Sequence, residues 1–308
     1  MIVTITPPKT LGGTVTAPPS KSMAHRAVLC AALAQGTSHI ENLEFSKDIS
    51  ATLAAAGQLC ARVETSADDA LVEGLGRFRP VTGPVDCCES GSTLRFLIPL
   101  ASLTGQAVTF VGRGRLMERP QSVYEQLYRE RNLHFEQTPA GLTVAGTLPS
   151  GEYTVAGNVS SQFISGLLFA LPLLAGDSVL HLLPPVESRS YIEMTRAAQA
   201  AFGVASRWLD DVTLAIPGGQ HYRPGHYTVE GDYSQAAFLA VLGAVRGGVT
   251  IAGLAEKTLQ GDAVILDILR RCGAKFARTE AGLTFEKAPL HGVDIDLADC
   301  PDLGPVLM

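Results

Sequence analysis

Lys21 and Arg26 stand five positions apart in the segment PPSKSMAHRAVLCAALAQG. On a helix of 3.6 residues per turn that spacing keeps them within about 140° of each other. From the first turns both side chains reach one anion, Lys as a point charge and Arg as a planar fork. Ser22 lies between them. Two later segments open in a related way: SGSTLRFLIPLASLTG brings Ser90, Gly91, Ser92 and Arg95, and SSQFISGLLFALPLLAG brings Ser160, Ser161 and Gln162. A helix start offers unpaired N–H groups and the positive end of the helix dipole, so the chemistry expected is the holding of phosphate or carboxylate. Taken singly, each serine is an ordinary cap and each cation an ordinary solvated side chain. Their recurrence at the onset of otherwise apolar helices favours a binding role.

Other candidates leave alternatives open. The loop GRGRLMERP carries Arg113, Arg115 and Arg119, with Glu118 beside the last; it is either a solvated basic loop or an anion contact. Ser188 and Tyr191 in VESRSYIEMT either meet a ligand or serve as a helix cap and a half-buried aromatic. Asp302, in PDLGP, reads in isolation as an ordinary acid at a helix start. The seven histidines show no ligand spacing with one another or with cysteine, so no metal is inferred. The six cysteines lack a C-x-x-C pair and read as buried thiols. No phosphate-binding G-x-x-x-x-G-K-[ST], dinucleotide fingerprint or G-x-S-x-G element occurs.

Composition narrows the class. The chain has 308 residues, is 46% hydrophobic and 18% charged, and bears 24 Lys and Arg against 30 Asp and Glu. A net charge of −6 disfavours a non-specific nucleic-acid binder. The longest apolar run, from Phe163 to Ala175, contains Ser165 and Pro172 and is shorter than the roughly 20 residues of a spanning helix. No secretory signal is evident at the start. The expectation is a globular, cytoplasmic protein without a membrane or nucleic-acid partner.

The elements that must position these residues repeat. Apolar helices are expected from Ser20, Ser90, Ser160 and Ser234, at spacings of 70, 70 and 74, ending at Gly36, Gly105, Gly176 and Gly247. A second helix is expected near Asp48, Pro120, Tyr191 and Asp262, followed by two short strands around turns at Asp68-Asp69, Ala140-Gly141, Asp210-Asp211 and Ala281-Gly282. With a strand ahead of each first helix, the unit reads β-α-β-α-β-β. The first helices are apolar almost all round, as enclosed helices are. A fifth copy begins at VDIDLADCPDLGPVLM and runs into Met308 within its first helix.

PPSKSMAHRAVLCAALAQG, SGSTLRFLIPLA, the ERP of GRLMERP, VSSQFISGLL, SRSYIEMT, VEGDYSQAAFLA and PDLGP together resemble the 5-enolpyruvylshikimate-3-phosphate synthase (3-phosphoshikimate 1-carboxyvinyltransferase) family, in order along the whole chain. The resemblance implies an α/β, two-domain enolpyruvyl transferase-like fold of repeated β-α-β-α-β-β units, here with the second domain incomplete. It implies a transferase of the shikimate pathway, in aromatic amino-acid biosynthesis. The enolpyruvyl group of phosphoenolpyruvate passes to the 5-hydroxyl of shikimate 3-phosphate through a tetrahedral ketal phosphate, phosphate is released, and no metal or organic cofactor takes part. Lys21, Ser22, Arg26, Ser160, Ser161, Gln162, Ser188, Tyr191 and Asp302 are then expected at shikimate 3-phosphate. Lys21, Gly91, Arg119 and Gln162 are expected at phosphoenolpyruvate, with Asp302 and Lys21 as the catalytic pair and Asp302 accepting the hydroxyl proton.

Two departures accompany the resemblance. Glu89-Ser90-Gly91-Ser92 stands where many members have Asn-Ala-Gly-Thr, and the later Lys-Glu and Arg-bearing motifs do not occur before Met308. Six units of this size need about 110 further residues. The expected domains are therefore 14–229, with three complete units, and 1–13 plus 230–308, a partial second domain. The expected oligomeric state is a monomer when full length, with negligible turnover by the 308-residue chain alone. Two other readings are the enolpyruvyl transferase acting on UDP-N-acetylglucosamine, whose corresponding start carries Lys-Asn rather than Lys21-Ser22, and an RNA 3′-phosphate cyclase-like protein. The acidic charge and the lack of an evident nucleotidylated-histidine motif count against the second.

Overall fold

The computed structural model describes residue 4 and residues 11–308. The rest of 1–13, expected with the second domain, lies outside the described residues. The chain divides into two compact units, Lys21–Val229 and a smaller one that joins the described residues up to Ser20 to Glu230–Met308.

In chain order, β1 (Gly13–Thr16) is followed by a first repeat of α1 (Lys21–Leu33), β2 (Gln35–Glu41), α2 (Lys47–Leu59), β3 (Ala61–Thr65) and β4 (Ala70–Leu75). The second repeat holds β5 (Val85–Asp86), α3 (Gly91–Ala101), β6 (Val108–Val111), α4 (Ser122–Glu130), β7 (His134–Thr138) and β8 (Gly141–Ala145). The third holds β9 (Gly151–Ala156), α5 (Ser161–Ala170), β10 (Ser178–Leu183), α6 (Arg189–Ala201), β11 (Arg207–Trp208) and β12 (Thr213–Ile216). Next come β13 (His226–Thr228), α7 (Tyr233–Arg246), β14 (Val249–Ala252), α8 (Ile265–Arg271), β15 (Lys275–Thr279), β16 (Gly282–Glu286) and α9 (Gly304–Leu307).

Each repeat makes a four-stranded sheet in one order: β13-β2-β4-β3, β5-β6-β8-β7, β9-β10-β12-β11 and β1-β14-β16-β15. The first pair of each is parallel and the rest antiparallel, as a helical crossover followed by a hairpin requires. The strand ahead of α1 does not serve its own repeat. β1 pairs with β14, and β13 takes its place beside β2. Residues 14–20 therefore belong to the smaller unit, not to 14–229 as the unit count suggested, because 14–16 pair with β14 and the backbone of 17–20 bonds to Ala252, Glu230 and Asp232.

Within the larger unit α1, α3 and α5 form the middle of the core. Every residue of α1 from Met23 to Leu33 is buried, and α5 is buried at every position except Gln162. The same apolar pattern gives a different result in α7. It buries Tyr233, Ala236, Ala237, Ala240 and Ala244 against the single described sheet of its unit and leaves Phe238 and Val245 exposed.

The helix ends also differ from expectation. Gly247 closes α7 with φ 75°, but α1 stops at Leu33 and Gly36 lies within β2. α3 stops at Ala101, ahead of Gly105. α5 ends at Ala170, and Leu171–Leu173 forms a 3-10 turn around Pro172 ahead of Gly176; a proline ring cannot continue the α-helical ladder. At the fourth start the cap is Asp232, which accepts from the Gln235 amide at 3.0 Å, and Ser234 lies inside the helix.

Gly166 sets how closely α5 approaches α3. A Cβ there would overlap both Tyr124 Oη and the Arg95 carbonyl, which the Tyr124 hydroxyl bonds at 2.8 Å. Gly166→Ala should therefore lower the unfolding free energy by about 1–3 kcal/mol, the usual cost of overpacking. Urea denaturation reads this as an earlier midpoint, and an unshifted midpoint would contradict the packing described.

Candidate active site

The N-terminal turns of five helices meet inside the larger unit, and side-chain bonds show it. Arg26, one turn into α1, is 2% exposed. Its Nε donates to Thr195 Oγ1 of α6 at 2.8 Å, Nη2 to the Tyr191 carbonyl at 3.0 Å and to Ser165 Oγ of α5 at 3.4 Å, and Nη1 to the Ser22 carbonyl at 2.6 Å. Each partner lies within the first two turns of its helix, so α1, α5 and α6 start at the same end. A second chain of bonds joins His25 Nδ1 of α1 to Thr52 Oγ1 of α2 at 2.7 Å and Thr52 to Thr93 Oγ1 of α3 at 2.7 Å. A third joins α3 to α5: Gln162 Nε2 donates to Ser92 Oγ at 2.9 Å, and Arg95 Nη1 donates to Gln162 Oε1 at 2.7 Å.

The expected residues fall into two groups there. Around Arg26 lie Ser22, half-buried beside it, and Tyr191, whose ring centroid is 5.8 Å from the guanidinium carbon. Ser160 caps α5 by accepting from the Gln162 amide at 3.3 Å, and Ser161 follows at 8% exposure. Ser188 precedes α6 in the left-handed region, φ 53°, and makes no side-chain cap bond. Lys21 opens α1 and pairs with Asp48 at 2.9 Å, the two side chains 50% and 27% exposed. The second group is Gly91, Arg119 and Gln162. A Cβ on Gly91 would stand 3.0 Å from Arg119 Nη1 and 3.8 Å from Gln162 Oε1, so a side chain there would crowd the Arg119 guanidinium.

The rest of the basic loop is committed elsewhere. Arg113 pairs with Asp86 at 2.9 Å and Arg115 with Glu118 at 3.0 Å, both among exposed side chains. Ser90, part of the Glu89–Ser92 departure, caps α3 by accepting from the Thr93 amide at 3.1 Å. The sequence singled out neither Gln121, which accepts from Arg95 Nε at 3.3 Å, nor Ser190, whose hydroxyl is buried without a partner among the described residues. The signal for Ser190 was its place in SRSY, at a helix start already marked.

Asp302 is the expected site residue that belongs to the smaller unit. It lies exposed in a 3-10 turn, Pro301–Leu303. Nearby Asp262 is 2% exposed and accepts from the Ser234 hydroxyl. Burial pushes its carboxyl up to about 6; the Ser234 bond opposes the shift, and the charges of Asp302 and Asp232 add to it.

The larger unit's field favours anions at this end. Burial lowers Arg26 to about 10, which leaves it charged at neutral pH, and none of its hydrogen-bond acceptors is a carboxylate. Five aligned helix starts add their positive ends. A cavity of about 370 Å³ lies near the opposite ends, lined by Leu33, Leu103, Leu173 and Leu174 among others. Its lining also includes Arg77 and His221.

A four-stranded unit repeated around buried helices, with helix starts gathered over an uncompensated cation, defines an α/β protein built to hold small polyanions. A family model, EPSP synthase (3-phosphoshikimate 1-carboxyvinyltransferase), matches residues 5–308. A 3-phosphoshikimate 1-carboxyvinyltransferase of Clostridium kluyveri is 42% identical over 99% of this chain and 72% of its own length. One from Clostridium perfringens is 42% identical over 99% and 73%. The EPSP synthase structure from Acinetobacter baumannii superposes with a TM-score of 0.79 at 22% identity, covering 96% of this chain and 71% of that one. The chain belongs to the EPSP synthase family and has its two-domain α/β fold.

Burial also pushes His25 down to about 3 from 6.5, with Lys21 and Arg26 adding to the shift and Asp48 opposing it. On acidification the unfolded chain takes this proton first. The stabilisation is therefore complete above about pH 6.5 and is lost as pH falls toward about 3, by up to about 1.4 kcal/mol per unit. Subtracting the His25→Gln profile of unfolding free energy from the wild-type profile, between pH 7 and 5, should isolate that slope. Parallel profiles would mean that the folded chain protonates His25 normally.

Proposed function

We propose that this chain transfers the enolpyruvyl group of phosphoenolpyruvate to the 5-hydroxyl of shikimate 3-phosphate and releases phosphate. The observation that carries the reading is Arg26, a buried cation with only neutral acceptors beneath three helix starts. Family membership supplies the substrates.

In this reading Ser160, Ser161, Gln162 and Ser188 hold the phosphate and ring of shikimate 3-phosphate, with Lys21, Ser22 and Arg26 supplying charge and donors and Tyr191 packing nearby. The Lys21–Asp48 pair is exposed enough to be worth little, so Lys21 exchanges Asp48 for a substrate oxygen at small cost. Gly91, Arg119 and Gln162 receive phosphoenolpyruvate. Asp302 accepts the proton of the attacking hydroxyl while the methylene carbon of phosphoenolpyruvate gains one. Loss of phosphate and of that methyl proton from the tetrahedral ketal then gives the enol ether. Both substrates are polyanions with little apolar surface, so charge-assisted bonds of about 1.5–3 kcal/mol each decide their affinity. The reading extends to a cytoplasmic, monomeric enzyme.

Two measurements test it. Calorimetry should show shikimate 3-phosphate binding to this chain, weakened roughly 10- to 150-fold by Lys21→Ala and by Ser161→Ala, the loss of one charge-assisted bond. Phosphoenolpyruvate binding in the presence of shikimate 3-phosphate should weaken about tenfold or more in Gly91→Ala, as with a misplaced methyl, with shikimate 3-phosphate affinity little changed. Undiminished shikimate 3-phosphate binding in both of the first two variants would refute the site assignment. Binding of neither substrate to the wild type would refute the function.

A further inference from the structure

Away from the helix starts, the face of the β13-β2-β4-β3 sheet opposite the core carries a second group of side chains. His226 stands opposite His39, and Thr228 opposite Glu41, in the parallel pairing of β13 with β2. Ile40 between them is fully buried, so His39 and Glu41 share the outer face, as alternate residues of a strand do. His226 Nε2 lies 2.9 Å and His39 Nδ1 3.6 Å from the same Glu41 oxygen, Oε1. The other ring nitrogen of His39, Nε2, lies 3.1 Å from Asp69 Oδ2 at the entry to β4. The other oxygen of Glu41, Oε2, accepts from Thr228 Oγ1 at 3.0 Å.

The geometry points to His39, Glu41 and His226 as a binding site for a borderline divalent transition ion of the Zn²⁺ type, with Asp69 orienting His39. Nothing in the family's reaction uses these residues. Two imidazoles and a carboxylate suit zinc and its neighbours, whereas Mg²⁺ and Ca²⁺ take oxygen ligands. Ligand atoms around a tetrahedral zinc lie about 3.3 Å apart, given metal–ligand distances near 2.0–2.1 Å. The 2.9 Å and 3.6 Å separations bracket that value.

The outer contacts prepare the donors. Asp69 Oδ2, 3.1 Å from His39 Nε2, favours the tautomer with its proton on Nε2 and the Nδ1 lone pair toward Glu41; metal-binding histidines are commonly fixed by a carboxylate in this way. Thr228 holds Oε2, and an ion would replace the proton that His226 Nε2 shares with Oε1. Side-chain exposures of 36% for His39 and Glu41 and 56% for His226 give an ion direct entry and leave its fourth position to water. The ion would also tie β13, a three-residue edge strand, to β2.

The chain, freed of metal with a chelator, is titrated with ZnCl₂ by calorimetry and melted with and without zinc. One equivalent should bind, and the melting temperature should rise. His39→Ala and His226→Ala should each weaken binding at least about tenfold and abolish the thermal shift, and Asp69→Asn should weaken binding about 10- to 100-fold. Metal-free melts of the same variants establish that they fold. A Cys88→Ser, Cys272→Ser double variant, which removes the two half-exposed thiols, should bind as the wild type does, and MgCl₂ should give no heat. Less than one equivalent of zinc on the wild type, or unchanged affinity in His226→Ala, overturns the proposal. So does loss of binding in the cysteine variant.

Discussion

Arg26 holds a full positive charge inside the larger unit, with hydroxyls and carbonyls as its hydrogen-bond acceptors among the described residues. Burying a charge this way costs several kcal/mol before hydrogen bonding offsets it. The offset requires Ser22, Ser165, Tyr191 and Thr195 to be in place together, and those residues belong to α1, α5 and α6. The guanidinium thus fixes the relative depth of three helices by a condition no apolar side chain imposes. Close packing already resists sliding of a helix, and a planar fork with four partners adds a directional requirement to it.

The same constraint produces the functional end of the unit. Once α1, α5 and α6 are aligned, the His25–Thr52–Thr93 chain brings in α2 and α3, and Gln162 links α5 back to α3 through Ser92 and Arg95. Five positive helix ends and a buried cation then share one region, which raises the electrostatic cost of the ligand-free state. A bound dianion removes part of that cost. Stability and binding are therefore opposed in the empty protein and reconciled when phosphate-bearing substrates enter, a common arrangement where charges are preorganised for ligands.

Strand exchange between β1 and β13 shows what topology adds. Each sheet follows one order, yet the first repeat borrows its parallel edge from the residues before α7, and the fourth takes its own from the residues before α1. A local unit would close on itself. Here the closure is non-local, so His39 and His226 become neighbours although 187 positions separate them. The outer-face site of His39, Glu41 and His226 is a by-product of that pairing, which explains why no histidine spacing along the chain revealed it.

Much of the architecture was legible in the residues alone because it rests on local rules. Apolar runs opened by serine, hairpin turns such as Ala140-Gly141, and a period near 70 specify a repeated β-α-β-α-β-β unit through hydrophobic periodicity and turn chemistry. The place of Lys21, Ser22, Arg26, Gly91, Ser161 and Gln162 at helix starts was legible for the same reason, since helix ends are written in short-range signals, whereas Arg119 read only as a loop cation until the family resemblance placed it. Tertiary structure alone decided the rest. It made Arg26 a buried cation and paired Arg113 and Arg115 with acids. It closed α7 on one side only and moved residues 14–20 to the other sheet. Burial, ion pairing and strand partnership depend on which distant segments arrive in space, and a one-dimensional pattern encodes the periodicity of an element but not the identity of its neighbours.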